Sequence, residues 1–293
     1  MGRRSARTTA KQVQRKPQPR KRIALVRSWK WSDIAWAAIA LLVAQVLNVL
    51  ILGNNFTALM PAEGVHGVRI ALLIIFYLLL LMVLAYRAHC RNLNFADAYR
   101  LRALTDAELR AQQAFPYNRE NAWGNDLEED VQKQEGKAKE EQFLPAWKSV
   151  LLVFVLFISL RTFAIVYTYV TAELGWVTPS GGGLTDLFGP TVFGLAAAIL
   201  SLVILAPFIE ELVFRVIMFD TFAQKMAIAA AVILQGLVFS FYHFSLWAAV
   251  PNFLLALACV YLIQKCRTSI PAIMLHVLYN AAVVAAAFYL AMA

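Results

Sequence analysis

Long apolar runs constrain what this chain can fold into more than any other feature. A helix needs ~20 mostly apolar residues to cross the ~30 Å hydrocarbon core of a bilayer. The composition is 60% hydrophobic and only 15% charged, which is typical of multi-pass membrane proteins. We therefore predict an all-α transmembrane helical bundle of about seven spans, with eight as the alternative if one segment is split or re-entrant. The runs are residues 34–52, 70–86, 150–169, a fourth from about 191, then 226–244, 248–263 and 270–290.

Polar and charged segments divide these runs into five parts. The N-terminal basic arm, residues 1–30, contains 11 of the 27 Lys and Arg residues and no Asp or Glu. This composition indicates a topogenic or lipid-facing tail. We expect membrane lipid as a partner of the chain and no nucleic acid. The predicted parts are the arm (1–30), the first two spans (31–86), a hydrophilic insert (87–148), the third span with an outer loop (149–189) and a C-terminal core (190–293).

The insert and the loops predict the orientation in the membrane. Thr105 to Glu108 form a capping-box pattern, so a helix should begin there and end before Pro116. The mixed charges of residues 120–141 predict a solvated, poorly ordered linker. Lys and Arg occur in the arm, the insert and the loops at 225 and 265–267, whereas 172–190 and 245–251 contain neither. The positive-inside rule therefore predicts a cytosolic N-terminus and insert, and we expect a protein of the cell membrane.

Two adjacent glutamates and an arginine interrupt the fourth apolar run. Ionisable groups at bilayer depth are costly and usually face a polar cavity, so each is a candidate functional residue. Glu211 and Arg215 are four residues apart and share a helix face, whereas Glu210 is rotated from Glu211 by ~100°. Arg215 can therefore neutralise Glu211 and leave Glu210 for chemistry. The alternative is an ordinary i,i+4 ion pair at a cytosolic helix end.

Two later spans carry polar pairs at the same spacing of four. The pairs are Phe239 with His243 on the fifth span, and His276 with Asn280 on the seventh. Glu210 lies 15 residues before Lys225 and His243 lies 18 after it, or ~22 and ~27 Å from that turn at the helical rise. A single buried histidine is more often an interhelical hydrogen-bonding group than a catalyst. Three polar clusters on three spans favour a shared site.

The order EExxxR, FxxxH, HxxxN resembles the CPBP family over about residues 190–290. This family comprises CAAX-processing and bacteriocin-processing (Abi-type) intramembrane proteases, including type II CAAX prenyl endopeptidases. The resemblance implies a glutamate-dependent endopeptidase that works in a cavity open to the membrane. It implies that Glu210 is the general base, that His243 helps to hold the water, and that His276 and Asn280 donate to the oxyanion. The supporting residues would be Glu211, Arg215 and Phe239.

The resemblance also bears on substrate and cofactor. The implied substrate is a membrane-bound peptide or a lipidated protein, such as a prenylated CAAX-type tail. There is no HExxH motif, and the polar groups come from separate helices, so we expect no metal or other cofactor. Zinc remains the alternative, because two histidines and glutamates can ligate it. The competing hypothesis is a non-catalytic multi-pass protein, of transporter or immunity and scaffold type, that retains the fold.

A further charge, Arg161, stands near the middle of the third apolar run. An arginine at this depth either pairs with a carboxylate inside the bundle or extends its side chain to the membrane surface. The sequence leaves both alternatives open.

Overall fold

The computed structural model describes residues 29–52, 62–102, 144–176 and 184–292, and all the regular structure in these ranges is helical. Four predicted segments lie wholly or partly outside the described residues: most of the basic arm, the helix after Thr105, the linker at 120–141 and residues 177–183 of the outer loop. The described helices are α1 (Trp31–Leu52), α2 (Ala62–Cys90), α3 (Phe95–Ala98), α4 (Ala146–Glu173), α5 (Leu184–Phe188), α6 (Val192–Ala223), α7 (Ile228–Tyr242), α8 (Leu246–Cys266) and α9 (Ile270–Met292).

Seven apolar helices among these occupy the places of the seven predicted spans. Five of them, α2, α4, α6, α8 and α9, are long and apolar enough to cross a membrane. Two shorter apolar helices are the first part of α1 and all of α7. The prediction of an all-α, multi-pass helical bundle is therefore confirmed.

Helix α6 is the central helix of the bundle, and it is not a uniform α-helix. Two segments form the wider π-helical turn, Ile199–Leu205 and Glu211–Met218. Pro207 lies between them and has no amide hydrogen, so a regular α-helical ladder would be broken there. The amide of Ala206 instead donates to the carbonyl of Ser201, five residues earlier. π-turns of this kind occur frequently at functional sites. Here Glu210 lies between the two segments and Glu211 begins the second.

Helices α7 and α8 form a close antiparallel hairpin. A Cβ atom at Gly236 would lie 2.9 Å from Cε2 of Phe253, so only a glycine lets the two helices approach this closely. The hairpin reverses at Phe244, which has a positive φ of 48°, and the side chain of Ser245 then accepts from the amide of Ala248 at 3.2 Å. This short turn places His243 at the end of α7.

The first described residues of the predicted insert pack against the core. Tyr99 is fully buried and donates its hydroxyl to the carbonyl of Leu84 at 2.9 Å; this burial raises the pKa of the Tyr99 phenol. The Arg100 guanidinium binds both carboxylate oxygens of Asp220 on α6, at 2.6 and 2.7 Å. The Arg100 carbonyl accepts from the amide of Ser269 before α9 at 2.8 Å. Residues 91–102 thus tie the ends of α2, α6 and α9 together.

Candidate active site

The structure pairs Glu211 with Arg215, as the spacing predicted. Nε of Arg215 lies 3.2 Å from Oε2 of Glu211, and both side chains are completely buried. No ion pair joins Arg215 to Glu210 among the described residues. The Arg215 guanidinium also lies over the ring of Phe239, 3.9 Å from its centroid. A carboxylate and an aromatic face therefore both compensate this buried positive charge.

Phe239 organises the aromatic side of the site. Its ring is fully buried and makes edge-on contacts with the imidazoles of His243 and His276, at centroid distances of 4.8 and 5.7 Å. A third edge-on contact joins it to Phe214 at 5.1 Å. Because the same ring supports the guanidinium and both imidazoles, its position determines how these three groups face one another.

Glu210 faces His243 across the space between α6 and α7. Nδ1 of His243 lies 2.9 Å from the carbonyl of Phe239, at the end of α7. A carbonyl can only accept, so Nδ1 carries the hydrogen, and Nε2 presents a lone pair when the ring is neutral. Nε2 lies 3.8 Å from Oε2 of Glu210, which is longer than a direct hydrogen bond. The His243 side chain is 29% exposed, against 2% for His276, so of the two histidines His243 is the more accessible from outside the bundle.

His276 lies between the two glutamates. Its Nδ1 is 2.8 Å from Oε1 of Glu211, and its Nε2 is 3.7 Å from Oε2 of Glu210. The spacing of residues along α6 predicted a partner for Glu211 only in Arg215, and the contact with His276 was missed. One feature of the sequence indicated this contact. Glu210 and Glu211 lie on neighbouring faces of the helix, so one imidazole can lie between their carboxylates.

Asn280 contacts α6 through the backbone. Its Nδ2 donates to the carbonyl of Leu202 at 2.9 Å. Leu202 belongs to the first π-helical segment, in which each carbonyl accepts from the amide five residues later. For Leu202 that residue is Pro207, which has no amide hydrogen. The carboxamide therefore provides a donor for a carbonyl that the helix itself leaves unpaired. One of its two amide hydrogens is used in this bond.

The site thus places one carboxylate oxygen of Glu210 within 4 Å of Nε2 of both His243 and His276, and it holds Asn280 one turn further along α9. Within the ranges that the structure describes, no group of three or more His, Cys, Asp or Glu side chains is arranged to hold a metal ion. Carboxylate and imidazole groups in a buried setting can exchange protons with a bound water.

Fold and site together define a class of protein: a multi-span helical membrane protein with a buried carboxylate and imidazole site. Residues 192–282 match the family model for type II CAAX prenyl endopeptidase Rce1-like proteins, so the resemblance predicted from the three motifs is confirmed. The match runs from the start of α6 into α9 and contains every predicted site residue. This family is one of proteases, and the match supports a peptidase that is an integral membrane protein. No curated protein and no solved structure matches the chain.

Proposed function

We propose that this chain is an intramembrane endopeptidase in which Glu210 activates the attacking water. The substrate is a membrane-bound peptide or a lipidated protein, such as a prenylated CAAX-type tail. One observation carries the proposal: Oε2 of Glu210 lies 3.8 Å from Nε2 of His243 and 3.7 Å from Nε2 of His276, in the interior of the bundle. The family match supports the peptidase class, and the glutamate mechanism rests on this geometry.

The attacking water binds between Glu210 and His243. The 3.8 Å between their facing atoms suits one bridging water rather than a direct bond. Both atoms accept hydrogen bonds, so the water donates one hydrogen to each and turns its oxygen lone pair toward the substrate. As that oxygen attacks the carbonyl carbon of the scissile bond, Glu210 takes the proton and the carbonyl oxygen becomes an oxyanion.

The oxyanion is stabilised from α9. Nδ1–H of His276 donates to Glu211, so Nε2 can donate to an oxyanion only if the ring carries a second proton. In the proposed step His276 carries that second proton, and its Nε2–H is the first donor to the oxyanion. The amide of Asn280 provides the second donor to the oxyanion.

Breakdown of the tetrahedral intermediate returns the proton. Glu210 passes it to the leaving nitrogen, the carbon–nitrogen bond breaks, and the products are a carboxylic acid and an amine. The water oxygen supplies both electrons of the new carbon–oxygen bond, and the leaving nitrogen supplies both electrons of the new nitrogen–hydrogen bond. Water supplies the proton, so the proposed reaction needs no metal or other cofactor.

The membrane setting of the proposal follows from the charges in the loops. A cytosolic N-terminus in the cell membrane puts the turn at Lys225 and the turn at 265–267 on the cytosolic side. Arg100, Asp220 and Ser269 then lie at the cytosolic end of the bundle, and membrane lipid surrounds the apolar faces of the spans.

The test is peptide cleavage by the purified full chain in liposomes, with a farnesylated CAAX-terminal peptide and its unprenylated counterpart as substrates. We expect the wild-type chain to cleave the farnesylated peptide and Glu210→Gln to abolish cleavage. Glu173→Gln, at an exposed position at the end of α4, is the matched control and should behave as wild type. Cleavage at the wild-type rate by Glu210→Gln would contradict the mechanism and favour the non-catalytic hypothesis.

A further inference from the structure

Arg161 carries a charge that the proposed reaction does not use. It lies close to the midpoint of α4, a helix of 28 residues that is ~42 Å long at 1.5 Å per residue. Both membrane surfaces are therefore ~15 Å away, further than an arginine side chain extends. The alternative in which Arg161 reaches the membrane surface does not fit this position.

Arg161 has no carboxylate partner among the described residues. Its guanidinium lies instead over the ring of Tyr279 on α9, 5.1 Å from the centroid. The side chain of Arg161 is only half-buried, while Tyr279 is buried. A guanidinium at this depth is costly unless an anion balances it, and a tyrosine ring compensates only part of that cost.

The position of Tyr279 places Arg161 beside the candidate active site. Tyr279 follows His276 by three residues, ~4.5 Å along the helix axis, and directly precedes Asn280. A second contact, from Tyr167 on α4 to Trp247 at a centroid distance of 6.1 Å, holds α4 against the start of α8, just after the turn that carries His243. An anion bound at Arg161 would therefore lie near the candidate active site, beside the turn of α9 that joins His276 to Asn280.

We propose that Arg161 binds the carboxylate at the C-terminus of the peptide substrate, an inference that rests on the proposed function. A terminal carboxylate drawn into the membrane with the scissile bond needs a cation of its own. A guanidinium can form two parallel hydrogen bonds with it, whereas the ammonium of lysine binds only as a point charge. Arg161 would thus make the enzyme selective for bonds close to a free C-terminus.

The test uses two farnesylated peptides that differ only in their last group, one ending in a carboxylate and one in a carboxamide. Binding is measured to the Glu210→Gln chain in liposomes, so that cleavage does not interfere, and KM and kcat are measured with the catalytically intact chain. We expect the carboxamide to bind about tenfold or more weakly, with KM raised and kcat nearly unchanged. Because this comparison needs no change at position 161, it does not depend on how an Arg161 variant folds.

The variant Arg161→Gln should bind the carboxylate peptide about tenfold more weakly than the wild type does. Its affinity for the carboxamide peptide should equal that of the wild type. Arg161→Lys should recover part of the affinity, and Thr162→Val, at the neighbouring exposed position of α4, is the matched control. Equal weakening of both peptides by Arg161→Gln would overturn the proposal in favour of a structural role. A second result would also overturn it: a loss of affinity in Arg161→Gln that occurs in liposomes containing phosphatidylglycerol but not in phosphatidylcholine alone. The anion bound by Arg161 would then be a lipid phosphate.

Failure of the proposed function gives a different result. If Glu210→Gln cleaves normally, the hydrolytic mechanism is wrong, yet the difference in binding between the two peptides still tests Arg161. If cleavage depends on Glu210 and the two peptides bind equally, only the inference about Arg161 is wrong.

Discussion

The imidazole of His276 joins the two adjacent glutamates of α6, with Nδ1 2.8 Å from Oε1 of Glu211 and Nε2 3.7 Å from Oε2 of Glu210. Glu211 is therefore more than a counter-ion for Arg215. By accepting from Nδ1, it sets which nitrogen of His276 faces the reacting groups. Contacts therefore run from Arg215 through Glu211 to His276 and on to Glu210, so that the four side chains form one connected group.

Removing the charge of Glu211 should destabilise the bundle. Glu211→Gln keeps the shape but leaves the buried Arg215 without its carboxylate partner, at a cost of ~3–5 kcal/mol in the free energy of unfolding. Thermal unfolding in detergent measures this cost. The double variant Glu211→Gln with Arg215→Met removes both charges and should recover much of the loss. Equal stability of wild type and Glu211→Gln would show that Arg215 does not depend on Glu211.

Asn280 should have two separable roles. Asn280→Ala removes a proposed oxyanion donor, which typically costs ~10²–10³ in rate, and it leaves the Leu202 carbonyl unpaired, which costs ~1–3 kcal/mol of stability. Pro207→Ala restores an amide hydrogen five residues after Leu202. The double variant Asn280→Ala with Pro207→Ala should therefore regain stability but not activity. If the double variant regains activity as well, Asn280 acts only through the helix.

Chelators should not inhibit cleavage. The proposed reaction uses no metal, so incubation with EDTA or phenanthroline should leave the rate of cleavage of the farnesylated peptide within about twofold of the untreated chain. The control is a zinc protease assayed in the same liposomes. Complete inhibition that is reversed by added zinc would replace the glutamate mechanism with a metal mechanism.

Enlarging Gly236 should separate α7 from α8. The new side chain of Gly236→Val would collide with the ring of Phe253, and overpacking of this kind costs ~1–3 kcal/mol. Cleavage should also fall, because α7 carries His243. Phe253→Leu in the same chain should restore part of both properties. Gly67→Ala is the matched control, since nothing lies within 4 Å of the added atom there.

The orientation can be measured by cysteine labelling of intact cells. In a Cys90→Ser background, Ser180→Cys should react with a membrane-impermeant maleimide, and Gln134→Cys should react only after the cells are opened. The expectation follows from the distribution of Lys and Arg in the loops. The reverse pattern of labelling would place the N-terminus and the insert outside the cell.

Contacts within one helix could be predicted because the helix period alone decides them. Glu211 and Arg215 are four residues apart, and so are Phe239 and His243; both pairs are in contact. The helices themselves were predictable for a related reason. Backbone N–H and C=O groups within a bilayer must hydrogen-bond to one another, so a long apolar run that crosses it forms a helix.

Composition did not reveal how the first residues of the insert pack against the spans. Charges dominate residues 87–148, yet Tyr99 is fully buried and Arg100 binds Asp220, 120 positions along the chain. A single aromatic residue among charges does not reveal which groups of distant helices will meet it. Only the approach of the ends of α2, α6 and α9 creates the pocket that buries this ring.

The sequence by itself determined that this is a helical membrane protein, and it determined which side chains share a face of each span. The tertiary structure decided that His276 lies between Glu210 and Glu211 and that Asn280 bonds the carbonyl of Leu202. These partners lie 65 to 78 positions apart, so their meeting depends on how α9 crosses α6 and on where the π-turns rotate α6. Helix period says nothing about either, because both follow from packing between spans and from the amide that Pro207 lacks.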